Sequence, residues 1–135
     1  MITLRPYDPD HDYPTIAEWW HGPGHDPVPK VVLPALGAIA VRTIRDKQQD
    51  VAAAWCYQDN STGVALMEWI ISKPETSGVI LKSAFEAITD YFKEDLKANG
   101  YTVLAAHCHS EQLASVLSLN GFARIETVEH MIMGI

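Results

Sequence analysis

The feature that most constrains this chain is an amphipathic stretch bracketed by two apolar runs. Leu81, Phe85, Ile88, Phe92 and Leu96 recur at spacings of three and four, while Lys82, Glu86, Lys93, Glu94 and Lys97 fall on the other side. That period puts one apolar stripe along an α-helix, and the stripe needs an apolar surface to lie on. Thr76 or Ser77 supplies an N-cap oxygen, and Asn99-Gly100 supplies a stop able to take left-handed backbone. The flanking runs, Val64 to Ser72 and Tyr101 to Cys108, read as strands. Strand, helix and strand in that order form a right-handed crossover, which predicts a parallel junction between Ala65–Ser72 and Tyr101–Cys108.

Upstream, Gly37 to Ile44 and Val51 to Gln58 are apolar runs joined by the charged turn Arg45 to Asp50, a β-hairpin pattern, and Asp59-Asn60-Ser61-Thr62-Gly63 leads tightly into Val64. The runs are apolar almost without interruption, as strands covered on both faces require. Ile2 to Arg5 alternates as a short strand. A helix follows, with Asp12 as N-cap, Pro14 in its first turn, an apolar stripe of Ile16, Ala17, Trp19 and Trp20, and a stop at Gly22-Pro23-Gly24. His21 to Pro34 reads as an ordered loop. Downstream, a short helix from Ser110 to Leu119, a stop at Asn120-Gly121 and a terminal pair of strands around Phe122–Ile125 and His130–Ile135 finish the chain. The expected architecture is one α/β domain over residues 1–135, a mixed sheet flanked by helices.

Composition narrows the function classes. A chain of 135 residues that is 47% hydrophobic can bury one compact core. No run reaches the roughly 18 apolar residues of a membrane span, and the opening Met1-Ile2-Thr3-Leu4-Arg5-Pro6 has no basic region followed by an apolar run, so the reading is cytoplasmic, without membrane contact. The two cysteines, Cys56 and Cys108, sit in apolar strand-like segments and read as buried free thiols. A net charge of −7 with no Lys/Arg stripe argues against nucleic acid and suits a cationic amine.

The element order resembles the fold of the GNAT superfamily of acyl-CoA N-acyltransferases over essentially the whole chain. Leu66-Met67-Glu68-Trp69-Ile70-Ile71-Ser72-Lys73-Pro74-Glu75-Thr76-Ser77-Gly78-Val79 occupies that family's acyl-CoA-binding motif. Leu117-Ser118-Leu119-Asn120-Gly121-Phe122 is similar to its short helix ending in Gly-Phe, and Leu4-Arg5-Pro6 is similar to its opening. The segment Trp19-Trp20-His21-Gly22 resembles small GNAT-like proteins of phages and prophages. The resemblance implies acetyl-CoA as co-substrate, an amine acceptor, no metal, and room for a homodimer. It further implies coenzyme binding by the backbone of Ile70, Ile71 and Ser72, by the helix start Ser77, Gly78, Val79 and Ile80, and by Ser110. Two departures stand out. The phosphate loop keeps Gly78 but has no basic residue ahead of it, and Leu117 stands where the family carries a general-acid tyrosine.

Acyl transfer to an amine needs a proton acceptor, polarisation of the thioester carbonyl and an anion site. Glu68, mid-strand in an apolar run, is the expected base, with a solvent-facing or simply paired carboxylate as the bland alternative. His107, at the end of its strand, is a second proton-handling candidate. His107 and His109, two apart on a strand, invite a metal, but no third ligand is evident. Trp19, Trp20 and Tyr57 suit either an acceptor pocket or the core. Three functions compete: N-acetyl transfer by direct attack, a GNAT-like binding or virion-associated module without catalysis, and a binder of another nucleotide-like ligand.

Overall fold

The computed structural model describes residues 1–21 and 24–135. Strands β1 (Ile2–Pro6), β2 (Gly37–Ile44), β3 (Lys47–Gln58), β4 (Val64–Ser72) and β5 (Val103–Ala106) form one sheet in the order β1-β2-β3-β4-β5. Helices α1 (Pro9–His21), α2 (Gly78–Ala98) and α3 (Glu111–Leu119) accompany it. The first four strands pair antiparallel, whereas β4 and β5 pair parallel from Val64↔Val103 to Met67↔Ala106. The predicted crossover is therefore present, and the sheet is mixed. Among the described residues no helix is long and apolar enough to cross a membrane.

Strand alternation divides the core into two layers. Ala38, Ala40, Ala52, Ala54 and Cys56 pack with Leu81, Phe85, Ile88, Phe92 and Leu96 of α2 and Leu113, Val116 and Leu117 of α3. The intervening residues Ile39, Val41, Ala53 and Trp55 pack instead with Ile16, Trp19 and Trp20 of α1. Alanines dominate the α2 side of the central strands, so the bulk there comes from the helix: Phe85, Ile88 and Phe92 are fully buried. Each such side chain contributes roughly 1.5–3 kcal/mol by leaving water. Ser77 caps α2 as expected, its hydroxyl accepting the Ile80 N–H.

Several expectations need correction. Helix α1 begins at Pro9, not after Asp12, because Asp8 Oδ1 accepts the Asp10 N–H at 3.1 Å and Pro9 fits a first helical position. Asp12 instead turns inward, 2% exposed, and binds Arg5 at 2.7 Å; Arg5 also reaches Asp50, tying β1, α1 and β3 together. Gly22 and Pro23 of the expected helix stop lie outside the described residues. The β2–β3 turn shrinks to Arg45-Asp46, both at positive φ (50° and 65°), and the charged residues after it join β3. Such a mirror-image two-residue turn matches the twist of paired strands.

At the other end the correction is larger. Strand β5 stops at Ala106, so His107, Cys108 and His109 belong to the connection into α3, and Cys108 is exposed rather than buried. The terminal strands around Phe122–Ile125 and His130–Ile135 do not form. Phe122 packs against the core, but the apolar residues after it stay in water, Ile125 at 90% and Met131 at 84% exposure. Phe122 anchors this segment, with Arg124 bonding Glu111 twice and Ser115 once, and the ring of His130 adds a contact with Trp69. Strand pairing needs a partner edge, and the four residues of β5 offer a short one.

Candidate active site

The site grows from an irregularity in β4. Ala53 faces Ile71 and Trp55 faces Glu68, so two steps along β3 match three along β4. The extra residue is a β-bulge, with Trp69 at φ 57°. A bulky side chain at positive φ costs roughly 1–3 kcal/mol, a kind of strain that concentrates at functional positions. Its effect is to break the alternation. Met67 and Ile70 both face α2, while Trp69 and Ile71 both pack on the α1 side. Glu68, opposite Trp55, shares that side with Trp69, so two consecutive side chains emerge together.

Glu68 is 7% exposed, one of few buried charged residues. Its Oε1 is hydrogen-bonded to Nδ1 of His107, whose side chain is 49% exposed. His107 reaches it because β5 has just ended opposite Met67. The His130 ring stands 6.0 Å from that of His107 at an interplanar angle of 21°, and 5.1 Å from that of Trp69. Trp69 Nε1 donates to the Tyr57 hydroxyl at 2.8 Å, and that hydroxyl donates to the Val32 carbonyl. An acid, a base and an aromatic wall thus meet where the ladder of β4 and β5 stops.

Beyond Met67 no strand pairs with Glu68–Ser72 on the β5 side among the described residues. The side chains of Ile70 and Ile71 are buried, so that edge offers backbone groups rather than side chains. Ser77, Gly78, Val79 and Ile80 form the start of α2, with Val79 80% exposed. Ser77 takes the Ile80 N–H, and a Cβ at Gly78 would meet nothing closer than Gln112 Nε2 at 3.9 Å, so packing does not require the glycine. Ser110 caps α3, accepting the Leu113 N–H at 3.2 Å. Leu117 is 2% exposed and packs in the core beneath α2.

Other candidates resolve simply. Trp19 and Trp20 are core residues, 5% exposed. Although Cys108 is exposed as a residue, partial enclosure of its thiol raises the pKa above the ordinary range; the Glu68 charge adds to this and Arg124 opposes it. Burial pushes the Cys56 thiol up to about 11. Burial and the nearby charge of His25 hold His109 below the usual imidazole range. Among the described residues no group of three or more His, Cys, Asp or Glu could hold a metal ion. Two surface concavities, one by Asp59 and Tyr101 and one on the β2–β3 hairpin, lie elsewhere and bring no acid and base together. The sequence carried no signal for His130, and alternation would have sent Trp69 away from Glu68.

No family model and no curated protein matches the chain. Solved structures do. A GNAT-family acetyltransferase from Streptococcus pneumoniae superposes with a TM-score of 0.64 at 11% identity, covering 99% of this chain and 98% of its own. Glucosamine-6-phosphate N-acetyltransferase from Arabidopsis thaliana gives 0.64 at 9% identity, covering 99% of each chain. An acetyltransferase from Trypanosoma brucei gives 0.62 at 14% identity, covering 98% of this chain and 100% of its own. At such identities the likeness is one of fold: the chain has the fold of the GNAT acetyltransferases.

Proposed function

We propose that the protein transfers an acetyl group from acetyl-CoA to a primary amine by direct attack, with Glu68 and His107 as its acid–base pair. The observation that carries this reading is the hydrogen bond between a buried carboxylate and a half-exposed imidazole, standing where β4 loses its neighbour. The acetyltransferase fold of the structural neighbours supports the same chemistry. The open backbone edge at Ile70, Ile71 and Ser72 suits the pantetheine arm. The helix start at Ser77, Gly78, Val79 and Ile80 suits the pyrophosphate through the N–H groups of its first turn, of which Ile80's is shared with the Ser77 hydroxyl, since a helix start favours anions without a basic side chain. Ser110, at the start of α3, lies on the same side of the crossover as Gly78, whose nearest outside neighbour is Gln112 of α3. Direct attack is favoured over an acyl-enzyme because the thiol of Cys108, the nearest in sequence to His107, has its pKa raised, which disfavours the nucleophilic thiolate.

Acetyl transfer to a panel of amines, with acetyl-CoA binding followed by thermal shift, tests the proposal. A ligand at 100 times its Kd adds roughly 2.7 kcal/mol of stability. Glu68→Gln should lose rate while keeping coenzyme affinity, and Cys108→Ala should keep both. Full activity in Glu68→Gln would remove Glu68 from the reaction. Absence of both transfer and coenzyme binding in the wild type would favour a module that has kept the fold and lost the chemistry, which buried Leu117 in place of a hydroxyl also suits.

A further inference from the structure

The acid–base pair has an inside and an outside. Glu68 is the inner member, its side chain 9% exposed, and one of its two oxygens, Oε1, is already engaged by His107. His107 is the outer member at 49%. Its bond to Glu68 is made through Nδ1. A carboxylate accepting from Nδ1 fixes the proton there, so the neutral ring presents Nε2 as a bare acceptor. Nε2 makes no hydrogen bond to the protein among the described residues. The stack of His130 against one face of the ring, with Trp69 behind it, limits rotation of the imidazole.

From this we infer that, within the acyl-transfer reading on which the inference rests, His107 Nε2 takes the amine proton and Glu68 is a positioning residue that acts only through His107. The neutral amine attacks the thioester carbonyl carbon with its lone pair, and the new C–N bond leaves the nitrogen positively charged. His107 Nε2 removes one proton from that nitrogen. The C–S bond then breaks with its electron pair on sulfur, and the imidazolium returns the proton to the coenzyme thiolate, giving amide and free thiol with His107 neutral again. One group thereby does the work of base and acid, and the absence of a hydroxyl at Leu117 leaves no gap in the cycle. Glu68 keeps the tautomer and stabilises the imidazolium while it lasts.

A double-variant cycle separates this order from one in which Glu68 is itself the base. Rates and KM for both substrates are measured for wild type, Glu68→Gln, His107→Ala and the double variant, with acetyl-CoA affinity and melting as controls on folding. Removal of the base should lower kcat by roughly 10²–10⁴-fold in His107→Ala with little change in KM. Added imidazole should restore part of that rate. In the His107→Ala background the further change Glu68→Gln should matter by less than about twofold, because its route to the substrate is already gone. His107→Gln, which keeps a hydrogen-bonding side chain at that place, should be as slow as His107→Ala if proton transfer is what is lost. If Glu68→Gln costs as much without His107 as with it, Glu68 meets the substrate directly and the inference fails while the acetyltransferase reading stands. A wild type that neither binds acetyl-CoA nor transfers acetyl overturns both.

Discussion

Gly37 is the position where a single methyl group should do the most damage. It faces Trp55 across β2 and β3, and a Cβ there would lie 2.6 Å from Trp55 Cδ1, 2.7 Å from Nε1 and 2.9 Å from Tyr7 Cβ. Carbon atoms at rest sit roughly 3.5–4.0 Å apart, so the indole would have to move by about 1 Å. It has nowhere to go. Trp55 is 0% exposed, with Tyr7 edge-on at 5.1 Å and Trp20 stacked at 6.0 Å. Overpacking of a rigid core costs roughly 1–3 kcal/mol, against which alanine recovers about 0.4–1 kcal/mol by restricting the unfolded chain. Gly37→Ala should therefore lose about 1.3 kcal/mol, a fall in Tm of roughly 4–6 °C for a domain of this size. Urea denaturation should show a lower midpoint at unchanged slope. In a Trp55→Leu background, where the side chain can rotate aside, the same glycine substitution should cost at least about 1 kcal/mol less. An unchanged or raised Tm in Gly37→Ala, or an equal loss in both backgrounds, would refute the argument from close approach.

Phe85, fully buried between α2 and the alanines of the sheet, should cost roughly 3–5 kcal/mol when cut to alanine, read as a loss of urea midpoint; a near-neutral result would mean the helix presents another face. Asp12 resists burial, which alone would raise its pKa, because Arg5, the Asp8 N–H and His11 bind the charged form and hold it below the usual carboxylate range. A lowered folded-state value stabilises the protein above the unfolded value near 4, and that contribution disappears as pH falls through the lowered one. Asp12→Asn should accordingly cost roughly 1–3 kcal/mol at neutral pH, and its melting temperature should fall less steeply on acidification below about pH 5 than that of the wild type; parallel curves would contradict this.

How much was legible from sequence depends on which physical signal each part rests on. The helix Gly78–Ala98 and the parallel junction were readable because apolar period and chain order carry them. Glu68 stood out as a charge inside an apolar run, and its burial follows from the same pattern. Its partner was named from strand position, but the reason the two meet is a register effect: β5 ends, and β4 takes in one extra residue. A bulge at a tryptophan leaves no compositional mark, since glycine is the usual sign of positive φ. The start of α1 was misplaced because Asp8 and Asp12 are equally good caps by type, and tertiary and local bonds from Arg5, the Asp8 N–H and His11 engage Asp12 instead. The terminal strands were misread because a short apolar segment has only the capacity to pair, whereas pairing depends on what edge is at hand.

That unpaired terminal segment has a colloidal consequence. Ile125, Met131, Ile132, Met133 and Ile135 keep their side chains in water on a chain whose formal net charge is −7. Contact between two such segments would remove apolar surface from water, and the shared negative charge is what opposes the approach of two copies. The repulsion reaches about one Debye length, near 10 Å in 0.1 M salt and about 3 Å in 1 M. Salt therefore removes the barrier without weakening the attraction, and acid does the same as the pH approaches the isoelectric point near 5.2. Dilute neutral buffer is the medium in which such molecules stay apart, and second virial coefficients from light scattering should turn from positive to negative as salt is added or as the pH is brought down to about 5.2.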